Sequence, residues 1–85
     1  MHIELLYFAW VREQIGRDSE TVEPPANVVT VLDLIDWLAA RGEPYAAALE
    51  RRDRLRAAID QRFAPLDTPI AGAREIALFP PVTGG

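Results

Sequence analysis

Eighty-five residues, 49% of them apolar and 26% charged, correspond to one ordinary globular domain with a single small core. The net charge of −4 argues against nucleic acid as the main partner. The sequence has no cysteine, which excludes disulfides and thiolate chemistry, and its one histidine is too few for a cluster, so we predict no metal site.

The sequence carries no membrane signal. No apolar run is long enough to span a bilayer, and the first residues lack the basic region of a signal peptide. We therefore expect a cytoplasmic protein without a membrane partner. The nine basic residues are all arginine, so a protein of this sequence cannot polymerise through isopeptide bonds to its own lysines.

A strand and a short helix are predicted at the start of the chain. Residues 3–9 alternate as a strand, and both of its faces become apolar toward its end. Residues 10–15 predict a helix that Gly16 closes. Residues 18–23 then predict a weak, charged strand at a sheet edge.

The strongest helix signal lies in the middle of the chain. Thr30 and Asp33 have the spacing of a helix-capping pair, and Gly42 follows the apolar stripe as a stop. This helix must bury its stripe on a sheet. Trp37 lies at the margin of the stripe, which favours a place at the edge of the core over a role in binding.

The second half predicts a short helix followed by strands. Residues 44–50 form the helix, residues 55–61 a strand, and residues 62–64 a short strand after a tight turn. An irregular loop, 65–72, precedes the final apolar strand, 74–79.

The two most apolar strands are the first and the last, so we place them side by side at the sheet centre with the capped helix across one face. If they are parallel, Phe8 and Phe79 lie close together at one edge, and both point away from the helix. Exposed phenylalanines of this kind mark an interaction site. Phe63 is a candidate third member, although the turn before it leaves its facing open.

The last residues predict a stiff stem with a bare end. Pro80 and Pro81 restrict the backbone to extended geometry, and the β-branched Val82 and Thr83 continue it. Gly84 and Gly85 have no Cβ, so a narrow channel can close around them and admit the α-carboxylate. We predict a folded domain over residues 1–79 and an extended tail over residues 80–85, with a reach of roughly 20 Å.

This tail, after an apolar strand, resembles the C-terminus of the small subunit of molybdopterin synthase. The likeness extends over the chain through Tyr7-Phe8-Ala9, Thr30-Val31 and Ala58-Ile59-Asp60, although the family usually has asparagine where this chain has Asp60. The resemblance implies an α+β, β-grasp (ubiquitin-like) fold. Such a fold has a mixed sheet of four to five strands with one main helix on one face.

The resemblance also implies a sulfur carrier in molybdenum cofactor biosynthesis. In that family an adenylating enzyme of the ubiquitin-activating type uses ATP to activate the terminal carboxylate, here that of Gly85. A sulfur donor protein then converts it to a thiocarboxylate. The tail, Pro80 to Gly85, inserts into the large synthase subunit and gives its sulfur to cyclic pyranopterin monophosphate.

The same resemblance assigns Phe8, Phe63 and Phe79 to the face that contacts the large subunit. It implies a heterotetramer of two large and two small subunits, in which the small subunit is non-catalytic and binds no cofactor. Two alternatives stay open. One is a carrier of the same design for thiamine synthesis or tRNA thiolation, and the other is a β-grasp binding module with a chemically idle tail.

Overall fold

The computed structural model describes residues 2–81. The predicted tail residues Val82, Thr83, Gly84 and Gly85 therefore lie outside the described part of the chain. Within it, the elements in chain order are strand β1 (Ile3–Tyr7), helix α1 (Ala9–Ile15), strand β2 (Ser19–Val22), helix α2 (Val31–Ala39), helix α3 (Tyr45–Ala48), a 3-10 turn (Arg52–Arg54), and strands β3 (Arg56–Ile59), β4 (Arg62–Ala64) and β5 (Glu75–Phe79).

Every predicted element is present, most of them with shorter bounds, whereas α1 begins one residue earlier than predicted and β4 has the predicted bounds. The first strand ends at Tyr7 and not at Ala9, because Phe8 caps α1 and Ala9 has a φ of 53°, which does not fit a strand. Helix α2 ends at Ala39. The amide of Ala40 still bonds four residues back, to Asp36, and the amides of Arg41 and Gly42 bond three residues back in a tightened last turn.

The sheet has the order β2-β1-β5-β3-β4. Strands β1 and β5 are parallel neighbours at its centre, and the other pairs are antiparallel. The predicted central pairing of the first and last strands is thus confirmed. Because β1 and β5 run in the same direction, the C-terminal ends of both strands lie side by side, where α1 begins after β1 and Pro80 follows β5.

Helix α2 begins at the predicted capping pair. The Thr30 hydroxyl accepts a hydrogen bond from the Asp33 amide, and the Asp33 carboxylate accepts one from the Thr30 amide, each at 3.1 Å. The helix buries four residues in one cluster with the inward side chains of β1 and β5. The buried residues of α2, β1 and β5 in this cluster are Val31, Leu34, Ile35, Leu38, Ile3, Leu5, Tyr7, Ile76 and Leu78.

The edge strand β2 carries a charge that points into the protein. Glu20 lies opposite Leu5 on the helix side of the sheet, and its side chain is only 7% exposed. Its carboxylate accepts hydrogen bonds from the hydroxyls of Tyr7, at 2.8 Å, and Tyr45, at 2.7 Å. A buried carboxylate without hydrogen-bond donors would destabilise the folded state, and the bonds from these two hydroxyls offset that cost.

Candidate partner-docking site

The sheet face away from α2, the open face, carries three phenylalanines that we call the phenylalanine patch: Phe8, Phe63 and Phe79. Phe63 is 82% exposed and Phe8 is 47% exposed, while Phe79 is half-buried. The ring centroids of Phe63 and Phe79 lie 5.7 Å apart, with the rings tilted by 53°. Offset and tilted rings at this separation attract each other.

The strand pairing explains how Phe8 reaches the patch. The amide of Phe8 donates to the carbonyl of Leu78 at 3.2 Å, which places Phe8 beside Phe79 at the ends of the parallel strands. Both residues alternate with inward-facing neighbours, Tyr7 and Leu78, which are buried. The predicted outward facing of Phe8 and Phe79 is therefore what the structure shows.

A tight turn determines the facing of Phe63, which the sequence left open. Asp60 and Gln61 have φ values of 48° and 71°, as the two central residues of a hairpin turn between β3 and β4 require. The turn places Phe63 opposite Ala58, on the open face. The Asp60 carboxylate accepts hydrogen bonds from the amides of Arg74 and Glu75, each at 3.0 Å, and so anchors the turn to β5.

The base of the predicted tail lies at the same edge as the patch. Pro80 and Pro81 are half-buried, and they line a shallow surface cleft together with Trp10, Asp53 and Arg54. No pattern in the sequence predicts this cleft. Pro80 directly follows Phe79, so a protein that binds the tail at this edge can also reach the patch.

Two kinds of feature are absent from the described residues. Within residues 2–81, no group of three or more histidine, aspartate or glutamate side chains could hold a metal ion. In the same part of the chain, no helix is both long and apolar enough to cross a bilayer.

Solved structures place the chain in the ubiquitin-like, β-grasp class. Small archaeal modifier protein 1 (SAMP1) from Haloferax volcanii superimposes with a TM-score of 0.72 at 30% identity, and the match covers 100% of both chains. The predicted fold class, with its mixed sheet of five strands, is therefore confirmed.

The ThiS family model matches residues 5–85, and the chain belongs to the ThiS family. The molybdopterin synthase sulfur carrier subunit of Escherichia coli is 42% identical over 98% of this chain and 99% of its own length. The protein of the same name from Haemophilus influenzae is 40% identical over the same shares. The predicted resemblance to the molybdopterin synthase small subunit is thus confirmed.

Proposed function

We propose that this chain is the sulfur carrier subunit of a molybdopterin synthase. The single observation that carries the proposal is the geometry at one sheet edge, where the exposed phenylalanine patch lies beside the base of the Gly-Gly tail. The names of the relatives that match along nearly the whole chain support the same reaction.

The chemistry takes place at the Gly85 carboxylate. A carboxylate is a poor electrophile until one of its oxygens becomes part of a leaving group, and adenylation achieves this. The carboxylate oxygen attacks the α-phosphate of ATP and releases pyrophosphate. A persulfide of the donor protein then displaces AMP from the acyl carbon, and a thiol cleaves the resulting acyl disulfide, forming a disulfide with the donor and leaving one sulfur on the acyl carbon. The resulting thiocarboxylate can supply sulfur to cyclic pyranopterin monophosphate. Because the chain has no cysteine, Gly85 is its natural point of sulfur attachment.

The proposal requires three protein partners. An adenylating enzyme of the ubiquitin-activating type binds ATP, a donor protein supplies the sulfur, and the large synthase subunit accepts the tail, Pro80 to Gly85. The large subunit provides the catalytic residues and pairs with this chain in a heterotetramer. The carrier itself binds no cofactor and acts as a co-substrate.

Burial of the phenylalanine patch can stabilise the complex with the large subunit. Ordering the tail costs on the order of 1–2 kcal/mol for each residue that loses its freedom, and less at the prolines. Burying one exposed phenylalanine returns roughly 1.5–3 kcal/mol. Phe63 and Phe8, both well exposed in the free chain, can therefore offset much of the cost of ordering the tail.

The test is purification of the tagged chain from its native cell, followed by intact-mass measurement and identification of bound proteins. We expect a fraction of the chain to carry sulfur in place of one oxygen at Gly85, with the large synthase subunit bound. A tail that never carries sulfur would contradict the proposal and indicate an idle binding module. Sulfur at Gly85 with a thiamine or tRNA-thiolation enzyme as the bound partner would indicate a carrier for another pathway.

A further inference from the structure

Two carboxylates stand side by side on the open face, at the end of the sheet away from the phenylalanine patch. Glu4 on β1 and Glu75 on β5 are direct partners in the parallel pairing, and both share parity with the outward-facing phenylalanines of their strands. Neither carboxylate forms an ion pair within residues 2–81. Like charges directly opposite each other destabilise a sheet, so this pair costs the free domain stability.

Small apolar residues lie on the open face between the carboxylates and Phe79. Ala77 lies between Glu75 and Phe79 on β5, and it belongs to a cross-strand row made of Leu6, Ala77, Ala58 and Phe63. Ala77 and Ala58 are only 7% and 9% exposed although they lie on the open face. The apolar part of the open face therefore extends from the phenylalanine patch toward the two carboxylates.

We infer that a single protein partner covers the open face along its whole length and places an arginine or lysine side chain opposite Glu4 and Glu75. This inference rests on the proposed function, because it takes that partner to be the large synthase subunit. The charge of the occupant follows from complementarity, since two adjacent carboxylates that form no ion pair within residues 2–81 are stabilised by an incoming cation. The distance between the partner's apolar contact at Phe79 and its basic group is about 13 Å, at about 3.3 Å per residue along β5.

Other occupants fit the face less well. A second copy of the chain would bring its own net charge of −4 and the same pair of carboxylates to the contact. A bound metal ion would need further ligands, and the described part of the chain provides no group of three near the pair. A protein segment that carries both apolar and basic side chains complements the apolar row and the acidic pair.

The test uses the Glu4→Gln/Glu75→Gln variant of the full chain and the large synthase subunit from the same organism. Isothermal titration calorimetry at low and high salt should show affinity reduced by about tenfold at low salt, with a weaker salt dependence than for the unchanged chain. The free variant should unfold at a higher temperature, because the repulsion between the two carboxylates is gone. A variant that gains stability and loses affinity would show that Glu4 and Glu75 serve docking and not the fold.

The matched control is Glu13→Gln/Glu50→Gln, which makes the same change in net charge. Both residues are exposed, Glu13 on α1 and Glu50 just after α3, and neither forms an ion pair within residues 2–81. We expect the control to bind the large subunit as the unchanged chain does. If both variants lose the same amount of affinity for the large subunit, the effect comes from net charge alone and the inference is wrong.

A Phe63→Ala variant distinguishes failure of the inference from failure of the proposed function. If Phe63→Ala weakens binding and the Glu4→Gln/Glu75→Gln variant does not, the inference is wrong while the proposed function stands. If the unchanged chain does not bind the large subunit, both fail. A dimer of the free chain that tightens when the two glutamates are neutralised, measured by analytical ultracentrifugation, would also overturn the inference.

Discussion

Phe63 and Phe79 touch across a strand that separates them. The two rings lie 5.7 Å apart although β3 runs between β4 and β5, so the contact is made over the top of β3. The residue of β3 opposite Phe63 is Ala58, whose methyl group is small enough to leave room for the rings to meet. The contact therefore joins the edge strand β4 to β5, the strand that leads into the tail.

Replacing Phe63 with alanine should weaken docking without unfolding the domain. The side chain is 82% exposed, so its loss removes little from the core, whereas its burial in a complex makes it a candidate for a dominant contact. We expect at least about a tenfold loss of affinity for the large synthase subunit and a change in unfolding free energy within about 0.5 kcal/mol. Calorimetric titration and urea unfolding measure the two quantities.

The control for this prediction is Val29→Ala. Val29 is also an exposed apolar residue, at 54%, but it lies just before α2 and lines a surface cleft that contains none of the three phenylalanines. It should leave affinity unchanged. A Phe63→Ala variant that loses stability while binding normally would show that the ring serves the fold and not the partner.

Asp60 should be replaceable by asparagine but not by alanine. Its side-chain oxygen accepts two hydrogen bonds from the start of β5, and an asparagine oxygen can accept both and also tolerates the positive φ of this turn. We expect Asp60→Asn to change the unfolding free energy by no more than about 0.5 kcal/mol, and Asp60→Ala to cost about 1–3 kcal/mol. Chemical denaturation measures the change in unfolding free energy for both variants. If Asp60→Ala costs no more than Asp60→Asn, the two hydrogen bonds contribute little to stability.

The sequence predicted the sheet centre and the capped helix because these depend on local patterns. The strands predicted at residues 3–9 and 74–79 occur as Ile3–Tyr7 and Glu75–Phe79, and the predicted capping pair of Thr30 and Asp33 is present. The facing of Phe63 could not be read in the same way. It depends on how many residues the turn at Asp60 and Gln61 inserts between β3 and β4, and an insertion of one residue reverses the facing of a strand.

Other features depended on pairings that no local pattern reveals. Glu4 shares parity with Phe8, and Glu75 shares parity with Phe79, but their contact follows only from the parallel register of β1 and β5. The sequence predicts a charged edge strand around Glu20, although Glu20 shares parity with Val22, which is buried. That shared parity was the available signal that Glu20 faces inward.

Removing Gly85 should abolish sulfur transfer and leave the fold intact. The buried apolar residues of the described chain lie between Ile3 and Leu78, so deleting the terminal glycine removes none of them. The shortened tail would hold its carboxylate about 3.3 Å too far from a reactive group positioned for Gly85. The measurement is formation of molybdopterin from cyclic pyranopterin monophosphate by the reconstituted synthase, with the unfolding temperature recorded alongside.

The companion variant Gly85→Ala keeps the length of the tail and adds one methyl group. If the channel closes tightly around the main chain, this variant should also lose activity, whereas a wide channel would accept it. Full activity of the chain that lacks Gly85 would show that the carboxylate position is not what the partner enzymes recognise, and the proposed site would be wrong.

The carboxylate of Glu20 should make the stability of the domain depend on acid pH. Burial by itself raises the pKa of Glu20, but the hydrogen bonds from Tyr45 and Tyr7 and the charges of Arg41 and Arg17 together lower it below the ordinary value of 4.5. A carboxyl whose pKa is lower in the folded state stabilises that state above the unfolded pKa. This contribution is present above about pH 4.5 and is lost as pH falls through the lower, folded pKa.

The variant Glu20→Gln isolates this contribution. Both tyrosine hydroxyls donate to one oxygen of Glu20, and the other oxygen faces Arg17 and Arg41. An amide oxygen can still accept the two hydroxyls, but the amide carries no charge and its NH2 group faces the arginines, so we expect a loss of about 2 kcal/mol near neutral pH. The difference from the unchanged chain should shrink in acid, because protonated Glu20 also lacks the charge. Urea unfolding at about pH 7 and about pH 3 measures both differences. The control is Glu13→Gln, because Glu13 is an exposed residue of α1, and its difference in unfolding free energy should not change with pH. If the difference for Glu20→Gln also stays constant with pH, the tyrosine hydroxyls do not depend on the charge of this carboxylate.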